Sequence, residues 1–270
     1  MAPPLWTYAA PPTEARDPEV VLFAFSHGPL RDDVPMSLAR FGAPDAAQVA
    51  AVEVRTIPRA VEPAWFDAWR SGSLRAIAET DLGAGLAALD GADHVHLVRA
   101  APTAPADLGY LQTAWALARF LVARGATTIL DAHAATFRAG DALPGPDAPL
   151  DVRAEVRVVF ETDPTRGDLA HALHTRGMRK FGAPDLIALC GDADAALVSE
   201  VVGQLADRVA RGETLASPRH AVDLDPSTTW YVVDDHDGLG ALLQLNNRAR
   251  VLVDASGAHL VGARDRRALN

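Results

Sequence analysis

Two stretches of helical period, each stopped by a glycine, constrain the fold of this chain more than any other feature. In Ala106–Arg124, residues Leu108, Leu111, Trp115, Leu117, Leu121 and Val122 recur at steps of three and four. Asp107 stands near the start and Gly125 at the end. In Asp192–Arg211 the same spacing joins Leu197, Val198, Val201, Val202, Leu205 and Val209, and Gly212 follows. Each stripe must be buried against another layer, and short apolar runs supply the strands. Val20–Phe25, Ala50–Ile57, His94–Val98 and Thr127–Leu130 are strand candidates in the first half; Glu62–Leu89 holds helical pieces anchored by Trp65, Phe66 and Trp69. Val152–Glu161, Leu186–Cys190, Thr229–Val233, Ala241–Leu245 and Arg250–Asp254 follow in the second. Strand, helix, strand over residues 94–130 predicts a βαβ-like unit, and the Asp/Gly-punctuated tail predicts an antiparallel ending. The expected class is α+β: mixed or antiparallel sheets packed by two long helices, in two subdomains.

The division follows from proline and glycine. Residues 1–19 carry five prolines and no period, so they are expected to form a flexible N-terminal arm. Residues 139–151 hold three prolines and two glycines and are expected to be a linker loop. That leaves an α/β N-terminal subdomain at 20–138 and an α+β C-terminal subdomain at 152–270.

Charge and cysteine usage narrow the function classes. Net charge is −10 at pH 7, against the cationic face that nucleic acid or an anionic membrane surface requires. No apolar run reaches the length of a bilayer span, and the first residues lack the pattern of a signal peptide. The single cysteine, Cys190, has no internal partner for a disulfide, which fits a reducing cytoplasm. No HExxH, GxSxG, GxGxxG or GxxxxGK[ST] pattern occurs. The pairs His94/His96 and His171/His174 lack a full ligand set, so neither a metal nor a cofactor is expected.

One segment is not explained by composition. Of 25 basic residues only Lys180 is lysine, and it lies within His174-Thr175-Arg176-Gly177-Met178-Arg179-Lys180-Phe181-Gly182-Ala183-Pro184-Asp185-Leu186. Gly177 and Gly182 permit positive φ, Pro184 fixes φ, and one helical turn fits Met178–Phe181. Thr175 is a candidate cap for that turn. In a binding reading, His174, Thr175, Arg176, Gly177, Met178, Arg179 and Lys180 meet an anion or a partner, with Lys180 as a mobile surface charge. Phe181, Gly182, Pro184, Asp185 and Leu186 are the architectural part, with Phe181 and Leu186 as core plugs. The pentapeptide FGAPD occurs twice, at Phe41–Asp45 and Phe181–Asp185, which raises either duplication or chance.

The run from His174 to Leu186 resembles the HT-x-G-[LM]-x-x-[FL]-G-x-P-[ED]-L signature of bacterial suppressor-of-fused-like and related domains of unknown function. The likeness extends over roughly residues 80–255 and includes the helix ending at Gly212 and the strand-rich tail. It implies an intracellular α+β module engaged in protein–protein interaction, of inhibitory or immunity type, and it supplies no catalytic residues. The expectation is therefore a cytoplasmic, non-enzymatic module binding another protein, with a basic partner suiting the acidic surface. The alternative is a small-molecule or anion-binding enzyme with its pocket at His174–Lys180.

Overall fold

In the computed structural model, residues 4–225 and 228–260 are described. The chain folds as two compact units: described residues of Met1–Thr7 with Arg16–Leu150, and of Tyr8–Ala15 with Asp151–Asn270. Each carries its own sheet, and the class is α+β.

The first unit runs β1 (Val20–Ser26), α1 (Leu38–Phe41), α2 (Ala46–Ala50), β2 (Glu53–Pro58), α3 (Pro63–Ala68), α4 (Gly72–Leu82), α5 (Leu86–Asp90), β3 (His94–Ala100), α6 (Gly109–Ala123), β4 (Ala126–Asp131) and β5 (Thr136–Ala139). The sheet order is β2-β3-β1-β4-β5, every neighbouring pair antiparallel. β3 and β4 both run antiparallel to β1 and hence parallel to each other. The expected βαβ-like unit is thus split, with α6 crossing over the intervening β1. Alternation along β1 sends Phe23 and Phe25 to one face, where Phe66, Ala78 and Leu89 from α3, α4 and α5 cover them. The opposite face receives α6, whose Leu111, Ala114, Trp115 and Ala118 are fully buried.

The second unit runs α7 (Val152–Glu155), β6 (Arg157–Thr162), β7 (His171–Arg176), β8 (Asp185–Cys190), α8 (Ala195–Ala210), β9 (Arg219–Asp225), β10 (Thr228–Asp234), α9 (Leu239–Leu242) and β11 (Ala249–Val253). Its order is β6-β7-β8-β11-β10-β9. Only β8 and β11 pair in parallel, because α8 and a hairpin lie between them in sequence. One helix, α8, lies over β7 and β8 and buries Val198, Val201, Val202, Leu205 and Val209. Ile187, Leu189, Val251 and Val253 form the core of the other face.

Several sequence expectations are corrected here. The N-terminal segment is no loose arm from residue 4 onward: Trp6, Tyr8 and Arg16 are buried. Trp6 donates its backbone N–H to Gln112 Oε1 and its indole N–H to Ala148 O, both at 3.0 Å. Ala9 donates to Arg211 O at 2.8 Å. Proline leaves a segment without ladder bonds, yet aromatic burial and donors paired to fixed acceptors hold it. The 139–151 segment is likewise tied down, by a 3₁₀ turn at Gly140–Ala142 and by Arg119, which donates to Pro144 O at 3.1 Å. In Val152–Glu161, a helical turn capped by Asp151 precedes the strand. Ala241–Leu245, expected as a strand, is not one: Leu239–Leu242 is helical, and the Asp235 carboxylate accepts from Leu239 N and Gly240 N at its start. His171–Arg176, which runs into the singled-out segment, is an interior strand of the sheet.

The two FGAPD copies share a local device. Each closes a helical turn with a left-handed glycine, Gly42 at φ 76° and Gly182 at φ 63°. Each then bonds the following alanine back five residues, Ala43 N to Leu38 O at 2.9 Å and Ala183 N to Met178 O at 3.2 Å. This is the Schellman stop, with Phe41 and Phe181 buried beneath it. Beyond it the copies part: Asp45 caps α2, while Asp185 opens β8. A recurrent helix stop accounts for the repetition without a duplicated lobe.

Candidate functional site

The singled-out segment forms the hairpin β7–turn–β8, with a 3₁₀ turn at Met178–Phe181 flanked by Gly177 at φ 110° and Gly182. It brings chemistry-bearing residues together, but inside the fold. His174, Thr175, Met178, Lys180 and Phe181 are fully buried, and Asp185 and Leu186 nearly so. Arg176 and Arg179 are half-buried. Arg176 donates to Leu243 O at 3.3 Å.

The most consequential correction concerns Lys180. It is no mobile surface cation: its Nζ lies 2.5 Å from Glu155 Oε2, and Glu155 is itself buried. A charge of either sign in that position needs its partner, since an unpaired buried ion costs several kcal/mol. Thr175, expected as a helix cap, is instead a strand residue. Its hydroxyl donates to Asp185 Oδ1 at 3.0 Å and accepts from Leu186 N at 2.8 Å, locking β7 to β8. Asn247 donates to Asp185 Oδ2 at 3.0 Å and to Ala183 O at 2.9 Å, fastening the hairpin to the approach to β11. Burial pushes the Asp185 carboxyl up to about 6 despite these donors. Desolvation also lowers the pKa of His174, whose Nε2 meets Glu161 Oε1 at 3.2 Å. His171 and His174, three apart on a strand, fall on opposite faces of β7. His171 bonds Thr162 and Asp192 on its own side.

The first unit holds a second polar cluster. Ser26 Oγ donates to Gly28 O at 2.8 Å, so its single proton is committed. His96 Nε2 lies 2.9 Å from Ser26 Oγ, and Nδ1 lies 2.9 Å from Thr56 Oγ1. Burial lowers His96 to about 4, which keeps it neutral. Through these contacts the three side chains fasten β1, β2 and β3 to one another.

Concave surface appears on both sides of α8. Since one helix spans about 10 Å and six strands about 24 Å, the sheet outruns its cover. Toward β9 lies a groove of about 250 Å³, lined by Leu197, Val201, Leu205 and Val222 with Glu200 and Asp223 on its rim. Arg208, also on that rim, is paired with Glu213 at 2.6 Å, and Asp223, opposite Thr229, turns its carboxylate to the sheet face away from α8, where it accepts from Thr229 Oγ1 at 2.8 Å, leaving Glu200 as the acidic group facing the groove. Toward β6 lies a wider groove of about 610 Å³, with Val152, Val156, Val158, Gly203 and Ala206 in its wall. Glu155, Asn247, Glu200 and Asp223 are missed by sequence reading. They lie on elements remote from the motif in the chain, and no spacing rule links them to it.

Among the described residues, no group of three or more His, Cys, Asp or Glu is placed to hold a metal ion, and no helix is long and apolar enough to cross a membrane. No family model, curated protein or solved structure matches the chain.

Proposed function

We propose that this chain is a protein-binding module, a regulatory or immunity-type partner of another protein in the manner of suppressor-of-fused-like domains, acting in the cytoplasm without catalysis. The observation that carries the reading is the groove between α8 and β9, whose wall sets Leu197, Val201, Leu205 and Val222 among polar groups, with the Glu200 carboxylate on its rim. It suits a segment of a basic protein that alternates large apolar side chains with Lys or Arg, in keeping with a net charge of −10. The buried motif at His174–Leu186 then serves as the frame that fixes β7, β8 and β11 beneath α8.

A displayed peptide library panned against the protein tests this. Enrichment of basic, apolar peptides that lose binding to Glu200→Arg supports the reading. Absence of enrichment, or peptides that bind Glu200→Arg equally well, would overturn it.

A further inference from the structure

We propose that a second copy of this chain docks on β6, pairing the two edge strands antiparallel across a two-fold axis through Val159. Among the described residues β6 is an edge strand, bonded only to β7. An open edge offers unpaired backbone groups and is ordinarily blunted by lysine, proline or a bulge. The sequence Arg157-Val158-Val159-Phe160-Glu161-Thr162 contains no proline, its pairing with β7 is unbroken, and its two charges, Arg157 and Glu161, are of opposite sign.

Phe160 gives the edge its direction. It begins a cross-sheet row that continues through Leu173, Ala188, Leu252 and Val232, on the face that α8 covers. Leu173, Ala188, Leu252 and Val232 are buried, yet Phe160 is 51% exposed. One side of its ring rests on His171, with centroids 4.7 Å apart. Beside it, on the same face, lies the 610 Å³ groove walled by Val152, Val156, Val158, Gly203 and Ala206. The molecule thus presents both an uncovered aromatic ring and an apolar recess.

The β6 sequence is complementary to itself in one register. Centred on Val159, antiparallel pairing sets Arg157 against Glu161 of the second copy, and Val158 against Phe160 of the second copy. Both charge pairs are opposite in sign, and each Phe160 ring reaches the recess beside the other copy's Val158. A slip of one residue sets Glu161 against Val156 or Val158 and sends the two α8 helices to opposite faces of the joined sheet. Only the Val159-centred register matches charge to charge and apolar to apolar, giving a closed two-fold interface. The β9-side groove lies at the other end of the sheet and stays open in such a dimer.

Light scattering coupled to gel filtration tests the proposal on the full chain. The expected mass is about 57 kDa, twice the 28.5 kDa of one chain. Phe160→Glu, a change at a half-exposed side chain, should give the single-chain mass with an unchanged circular dichroism spectrum. Arg157→Glu should raise the dimer dissociation constant about tenfold or more, because two like-charge contacts replace two attractive ones. Arg157→Glu combined with Glu161→Arg should restore the dimer. Val159→Cys should cross-link to itself under mild oxidation, as directly opposed strand residues can. A wild-type mass of one chain, or a dimer indifferent to Phe160→Glu and Arg157→Glu, would overturn it. Peptide binding measured on the Phe160→Glu protein separates this outcome from the fate of the β9-side groove.

Discussion

Removing the Lys180 ammonium tests how the hairpin is held. In Lys180→Met the apolar stem is kept and the charge is lost, so Glu155 is left buried without the cation 2.5 Å away. Breaking a buried pair in this way costs about 3–5 kcal/mol, against a total stability of about 5–15 kcal/mol for an ordinary domain. The variant should therefore lose a large fraction of its margin. Replacing both partners removes the orphan: Glu155→Leu with Lys180→Met should recover to within about 1 kcal/mol of wild type, or exceed it, because two desolvated charges give way to packed side chains. Urea denaturation followed by circular dichroism measures all four corners of this cycle, and the coupling is the difference that matters. A Lys180→Met protein that loses less than about 1 kcal/mol would refute the reasoning, since it would mean that Glu155 finds solvent or another donor.

Two further outcomes follow from the same geometry. Asp185 has its folded pKa raised from 3.8 to about 6, so its stabilising term is complete below the unfolded value and is lost as pH rises through the folded one. Stability relative to Asp185→Asn should therefore fall by about 2–3 kcal/mol between pH 4 and pH 6.5, at 1.36 kcal/mol per unit; a pH-independent difference would contradict the assignment. Gly42→Ala should cost more than the 1–2 kcal/mol roughly expected for a left-handed residue. Its Cβ would stand 2.5 Å from Pro146 O, and a thermal melt within a degree of wild type would argue against the tight stop.

Helices α6 and α8 were legible because burial on one side imprints a 3.6-residue period that survives in sequence. The 3₁₀ turn at Met178–Phe181 was legible because two glycines bound it. The fate of Lys180 was not, because cationic character in a motif reads as surface, and the carboxylate that admits it to the core sits 25 residues upstream on a four-residue helix. Ala241–Leu245 was misread as a strand because Leu and Ala suit either element, and bonds from Leu239 N and Gly240 N to the Asp235 carboxylate favour the helical turn Leu239–Leu242. The grooves beside α8 had no sequence signal at all. They arise from the ratio of one helix to six strands, a property of topology rather than of any residue pattern.

Hydrogen exchange on the complex with a panned basic peptide separates a buried frame from a working surface most directly. The account predicts added protection over residues 197–208 of α8 and 222–224 of β9, with exchange across 174–186 unchanged from the free protein. Protection that appears instead at Arg176–Lys180 and spares α8 would contradict it, and would return binding to the hairpin itself.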